Sequence, residues 1–186
     1  MKLRLAVIVC LSLLLTGCSR RNSLDHAIRL RTELLSGNGC SFQCEITADY
    51  GEKLYTFGMD CQADEEGNLA FSVTAPTTIT GICGTVSDTK GGLTFDDRVL
   101  AFETIADGYL TPVSAPWVFL KTLKSGYIKS CIATEYGFCM EIDDTYQESS
   151  LQLRIYTDSK SVPTGGEIFW NNRRIITIQV DNFTIL

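Results

Sequence analysis

The stretch Cys40-Ser41-Phe42-Gln43-Cys44-Glu45-Ile46-Thr47-Ala48-Asp49-Tyr50-Gly51 and its continuation Glu52-Lys53-Leu54-Tyr55-Thr56-Phe57-Gly58-Met59-Asp60-Cys61 decides the fold. Cys40, Phe42, Cys44, Ile46 and Ala48 alternate with Ser41, Gln43, Glu45, Thr47 and Asp49. A period of two belongs to a strand with one buried face. Tyr50-Gly51 reads as a tight turn. The returning strand then places Tyr55, Phe57, Met59 and Cys61 on one side. With a two-residue loop, Ile46 faces Tyr55, Cys44 faces Phe57, Phe42 faces Met59 and Cys40 faces Cys61. All four pairs fall on the apolar side, so register and pattern agree. Cys40 and Cys61 become a candidate cross-strand disulfide.

Downstream the alternation repeats. The acidic turn Asp64-Glu65-Glu66-Gly67 leads to a third strand with Leu69, Phe71 and Val73 inward, closed by Pro76. Ile79 to Val86, Gly92 to Phe95 and Arg98 to Ile105 read as short strands, with turns at Asp88-Thr89-Lys90-Gly91 and Asp96-Asp97. Pro116 then suits the first turn of a short helix from Ala115 to Lys124, with Ser114 as its cap and Gly126 as its end. Tyr127 to Ala133 turns through Thr134-Glu135-Tyr136 into Gly137 to Asp143. A three-residue loop sets Ile132 against Phe138 and, on the other face, Cys131 against Cys139, a second candidate disulfide. Leu151 to Thr157 alternates again. Glu167 to Trp170 and Arg174 to Phe183 form a last hairpin around Asn171-Asn172.

Upstream lies one helix, capped at Asn22 or Ser23 and running to Leu35, with Asp25 in its first turn. Leu24, Ala27, Ile28, Leu34 and Leu35 give it an apolar stripe. Gly37 and Gly39 stop it. His26, the one histidine of the chain, falls on its surface. Before the helix, Lys2 and Arg4 precede a short apolar run, Leu5 to Leu15, which ends at Leu15-Thr16-Gly17-Cys18. The run is too short to cross a bilayer, and a charged start with a small-residue cleavage site marks a secretory signal peptide over 1–17. Residues 18–22 become a tether and 23–186 a single domain. Cys10 leaves with the signal peptide.

Removing Lys2 and Arg4 lowers the basic count from 16 to 14 against 22 acidic residues, moving the net charge from -6 to -8. An acidic exterior argues against nucleic acid and against a polybasic grip on lipids. The remaining Cys40, Cys44, Cys61, Cys83, Cys131 and Cys139 have neither metal-site nor thioredoxin spacing, so no metal and no cofactor are expected. No nucleophile elbow, phosphate loop or His-Glu-x-x-His run is present. Asp96-Asp97 and Asp143-Asp144 are adjacent residues that a strand turns to opposite faces. A non-catalytic protein follows.

A leading helix and about eleven short strands, interrupted once by a helix, fit a mostly β fold: a strongly curved antiparallel half-barrel with the helix near 115–124 on its concave face. The Leu-Thr-Gly-Cys ending resembles the bacterial lipobox, in which Cys18 carries acyl chains such as palmitate. The order of elements, Thr74-Ala75-Pro76 at the third strand's end and the Trp117 helix resemble the LolA/LolB-like superfamily of bacterial envelope lipoproteins. The resemblance implies an extracytoplasmic, membrane-anchored monomer whose apolar concavity accepts an acyl chain, lipid or lipoprotein. Ser19 after Cys18 would permit an outer-membrane destination where one exists. On the strand pattern, Phe42, Ile46, Phe57, Met59, Phe71 and Val73 line that face, with Trp117 and Leu120 as its lid. The alternative is a tethered interaction or sensor module with no small ligand.

Overall fold

The computed structural model describes residues 18–87, 92–94, 105, 106, 108, 110–146 and 151–186. The segment 1–17 expected to be a signal peptide, Phe95, all but the last residue of the strand expected from Arg98 to Ile105, and the turns expected at 88–91 and 96–97 lie outside them. Helix α1 spans Cys18–Ser36, followed by strands β1 (Gly39–Asp49), β2 (Leu54–Asp64), β3 (Leu69–Ala75), β4 (Cys83–Val86) and β5 (Gly92–Thr94). A single 3-10 turn, Pro112–Ser114, runs into helix α2 (Ala115–Ser125). Strands β6 (Tyr127–Ala133), β7 (Gly137–Asp143), β8 (Gln152–Asp158), β9 (Pro163–Trp170) and β10 (Arg173–Ile185) complete the chain.

The described strands form one sheet in the order β5-β4-β3-β2-β1-β10-β9-β8-β7-β6. Every pairing is antiparallel. The chain thus makes two meanders, and β10 joins them by returning beside β1. The sheet is strongly curved but not closed into a barrel. Ten strands are described where about eleven were expected. Its edges are β5 and β6, the strands on either side of α2 in sequence. Helix α2, which precedes β6 in the chain, packs against β7 and β10.

The core lies between the concave face and the helices. Ile46, Met59, Leu69, Met140, Ile142, Leu153, Ile155 and Ile168 are fully buried, as are Phe119 of α2 and Leu34 of α1. Each such side chain contributes about 1.5–3 kcal/mol by leaving water. Phe119 sits over Gly166, where an added Cβ would come within 3.0 Å of its ring. The helix reaches the sheet because that position has no side chain.

Both expected registers are corrected. Tyr50 N–H donates to Lys53 O, so the first turn centres on Gly51-Glu52 and not on Tyr50-Gly51. Ile46 pairs with Phe57, Phe42 with Cys61 and Cys40 with Ala63. Thr134 N–H likewise donates to Gly137 O, so the second turn centres on Glu135-Tyr136. Cys131 then pairs with Met140 and Ile132 with Cys139, and an irregularity between Ile128 and Ser130 restores Ile128 to Ile142. The hairpin at Asn171-Asn172 is as expected: Trp170 pairs with Arg173, and both asparagines take the positive φ that a two-residue turn needs.

Helix α1 departs from its expected form in three ways. It begins at Cys18 rather than at Asn22 or Ser23, which moves Asp25 out of the first turn. Its buried side is Ser23, Ala27, Leu30 and Leu34, whereas Leu24, Ile28 and Leu35 are exposed. His26 is not a free surface residue: its ring stacks on Phe138 at 4.0 Å and its Nδ1 lies 3.1 Å from Ser161 Oγ.

Candidate functional site

The residues expected to meet a ligand converge on the concave face. Phe42 and Ile46 come from β1, Phe57 and Met59 from β2, Phe71 and Val73 from β3. Period-two alternation brings them to one side. All six are at most 5 % exposed, as is Leu120 of α2. They belong to the buried apolar core. Trp117 alone of the group is partly exposed and packs against the core from its rim.

Helix α2 packs against β7 and β10, and polar contacts hold both of its ends. The Trp117 indole N–H donates to Gly67 O at 3.0 Å, fastening the first turn of the helix to the β2–β3 turn. Gly67 is available there because the turn is shaped by Asp64, whose carboxylate accepts from the Asn68 N–H and side-chain amide at 2.9 Å. Those bonds hold the Asp64 carboxyl below its usual range. Lys121 lies 4.7 Å from the Trp117 ring centre, a cation–π contact. At the other end Arg31 of α1 serves as a C-cap. Its Nε donates to Leu123 O at 2.7 Å and its Nη2 to Gly126 O at 2.8 Å and Thr122 O at 3.4 Å. A cation on the carbonyl end of a helix satisfies orphan acceptors and opposes the helix dipole. Ser114 was expected to cap α2, but its hydroxyl donates instead to Thr111 O at 2.8 Å, closing the 3-10 turn.

Beside Trp117 lies a hollow of about 330 Å³. Its apolar floor is Ala63, Leu120 and Trp117, and Glu66, Lys121 and Lys124 stand around it. That volume is at the small end for a ligand pocket. Two hydroxyls inside the apolar interior, Thr122 Oγ1 on α2 and Thr157 Oγ1 on β8, have no hydrogen-bond partner among the described residues. Buried hydroxyls normally find one. The larger surface depression, about 490 Å³ over Gly165 and Gly166, touches none of the residues named from the sequence. It is an open furrow where two adjacent glycines leave no side chains.

The cysteines do not form the expected bonds. All six are free thiols. The two-residue shift in the β1–β2 register separates Cys40 from Cys61, and Cys131 and Cys139 point to opposite faces of the sheet. The shift instead places Cys44 Sγ 3.9 Å from Cys61 Sγ. Burial pushes the Cys40 thiol up to about 11, and the Cys61 thiol is raised by the neighbouring Cys44 and by burial. These are protonated apolar fillers at neutral pH, unsuited to nucleophilic chemistry. No cluster of three or more metal-ligating side chains occurs among the described residues.

An open, curved antiparallel sheet with α2 laid in its trough is the arrangement that the resemblance implied. No protein-family model and no curated protein matches the chain. Among solved structures, the half-barrel is similar to an uncharacterized conserved protein from Thermus thermophilus, with 8% identity, a TM-score of 0.47, and 89% of this chain and 88% of that one covered. It is similar to a LolA superfamily protein from Nitrosomonas europaea, with 6% identity, a TM-score of 0.46, and 86% and 93% covered. A third is a putative outer membrane lipoprotein-sorting protein domain from Vibrio parahaemolyticus, with 10% identity, a TM-score of 0.45, and 89% and 92% covered.

Sequence reasoning missed two parts of this half-barrel's site: the Arg31 cap and the Thr122 and Thr157 hydroxyls. An arginine four residues from a helix end gives no signal of its own, because its partner is another helix 92 residues away in sequence. A threonine in an otherwise apolar stripe is visible, yet only packing shows that nothing bonds to it.

Proposed function

We propose that this protein is a bacterial envelope lipoprotein, anchored through acylated Cys18, that binds an apolar or amphipathic ligand such as an acyl chain beneath α2. The observation that carries the reading is the lid. A helix closes the apolar trough of an open sheet, yet it is fastened at its ends by Trp117–Gly67 and by Arg31. Phe42, Ile46, Phe57, Met59, Phe71 and Val73 are buried on one face of the sheet, and an acyl chain held there would find apolar walls. The 330 Å³ hollow beside Trp117 and Leu120 supplies the entrance. The Thr122 and Thr157 hydroxyls, which have no hydrogen-bond partner among the described residues, would meet a ligand's polar atoms in this reading. Ligand sites of this class combine apolar walls with a few polar groups. No chemistry is assigned: the sole histidine is held between Phe138 and Ser161.

The test is direct. Protein carrying Cys18→Ala, which has no thiol to acylate, is purified, and its organic extract is analysed by mass spectrometry. A co-purifying acyl lipid in near-stoichiometric amount is expected. An empty extract, together with no saturable uptake of added fatty acid, overturns the ligand reading and leaves a rigid tethered platform. Metabolic labelling with a fatty acid checks the anchor separately: label is expected on the native protein and not on the Cys18→Ala variant.

A further inference from the structure

Helix α1 has two apolar stripes. One, through Ala27, Leu30 and Leu34, is buried. The other consists of Leu24, Ile28 and Leu35, which are 42%, 51% and 61% exposed. Their spacings of four and seven residues put them on one line along the helix. Asp25, Arg29 and Glu33, all exposed, fall on other sides of it. The stripe is an apolar surface on a helix already fully engaged by its opposite side.

Its position says what covers it. The helix starts at Cys18 itself. With a rise of 1.5 Å per residue, Leu24 lies roughly 9 Å, Ile28 roughly 15 Å and Leu35 roughly 26 Å along the axis from the anchoring sulfur. Because α1 is fixed to the domain by its buried stripe and by Arg31, it cannot rotate Leu24 and Ile28 away independently of the domain. An acyl anchor at the first residue of a stiff helix holds its next turns within reach of the bilayer. We infer that α1 lies in the membrane interface, with Leu24, Ile28 and Leu35 seated at the headgroup–acyl boundary, so that the domain has one fixed face toward the bilayer. The inference rests on the proposed acylation of Cys18. An apolar helix face supplementing acyl chains is the two-signal anchoring that holds a protein stably.

The probe is tryptophan fluorescence of the lipidated full-length protein in phosphatidylcholine–phosphatidylglycerol vesicles whose acyl chains are brominated near the headgroup. Ile28→Trp and Glu33→Trp are compared after subtracting the background from Trp117 and Trp170. Quenching by about half or more, with a blue shift, is expected at position 28 and none at position 33. Equal quenching at both positions, or none at either while the protein floats with the vesicles, overturns the inference and leaves the anchor reading intact. Failure to float removes the anchor, and this inference with it. Lipid-free Cys18→Ala protein that dimerises, and becomes monomeric on Ile28→Asp, would assign the stripe to a second copy and overturn the bilayer as its partner.

Discussion

The hairpins β1–β2 and β6–β7 look alike in sequence and end differently. In both, the turn sits further along the chain than the pattern implied. In β1–β2 its centre moves by one residue. Register moves by two, every side chain keeps its face, and the apolar side remains Phe42, Cys44, Ile46, Phe57, Met59 and Cys61. In β6–β7 the register near the turn moves by one. Near the loop the partners change face: Cys131 turns inward beside Met140, and Ile132 turns outward to 57% exposure. An irregularity at Lys129 then recovers the pairing of Ile128 with Ile142. Parity, not loop length as such, decides whether an error in a turn reaches the core.

The largest expected effect contrasts the two turns. A Cβ at Gly137 would meet Thr157 O at 2.0 Å and the Asp158 backbone at 2.5 Å, neither of which can give way. A Cβ at Gly51 meets only the Arg173 guanidinium, at 3.6 Å, although its φ of +94 disfavours a side chain. In urea unfolding, Gly137→Ala should cost roughly 3 kcal/mol or more and Gly51→Ala about 1 kcal/mol. A smaller cost at Gly137 than at Gly51 would mean that β7 and β8 are paired differently.

Next comes the face change. Cys131→Ser puts a hydroxyl into the core and should lower stability by about 1–2 kcal/mol, whereas Cys139→Ser on the outer side should stay within about 0.5 kcal/mol. Calorimetry of the two variants reads the difference directly. Non-reducing digestion should yield neither Cys40–Cys61 nor Cys131–Cys139 linked peptides. Recovery of either would restore the expected register.

The smallest effects come from one carboxylate in each hairpin. Asp49, after β1, accepts from Gly51 N–H at 2.7 Å and pairs with Arg173, so its carboxyl is held below the usual range. It adds stability above the ordinary carboxylate range that is lost as pH falls through its folded value. Asp144, after β7, is raised by burial, and its Oδ1 has no partner among the described residues. Its folded form retains a proton that the unfolded chain would release, so stability falls as pH rises between the two values. Asp49→Asn should therefore lower the Tm at neutral pH and Asp144→Asn raise it, both differences fading in acid. Melting curves from pH 3 to 8 check the opposite signs.

Much of this was legible from the residues alone. Alternation over 40–48 and 55–61 gave the two strands their inner face, Pro116 gave the start of α2, and Asn171-Asn172 gave the last turn. What pattern could not supply was which of two apolar stripes on α1 faces inward. Leu24, Ile28 and Leu35 are as hydrophobic as Leu30 and Leu34, and only packing against β6 and α2 separates them. The cysteine pairings failed for a related reason: a disulfide depends on register to the residue, while an apolar face depends only on parity. The residues proposed to meet a ligand were legible as a face, but the extent of their burial was not.

That lid is the centre of the account, and Trp117 reports on it. In Trp170→Phe protein, where Trp117 is the sole tryptophan, titration with a dibrominated fatty acid should give saturable quenching at micromolar concentration as the acyl chain enters beneath α2. Quenching that rises linearly without saturation, in protein with intact circular dichroism, would contradict it.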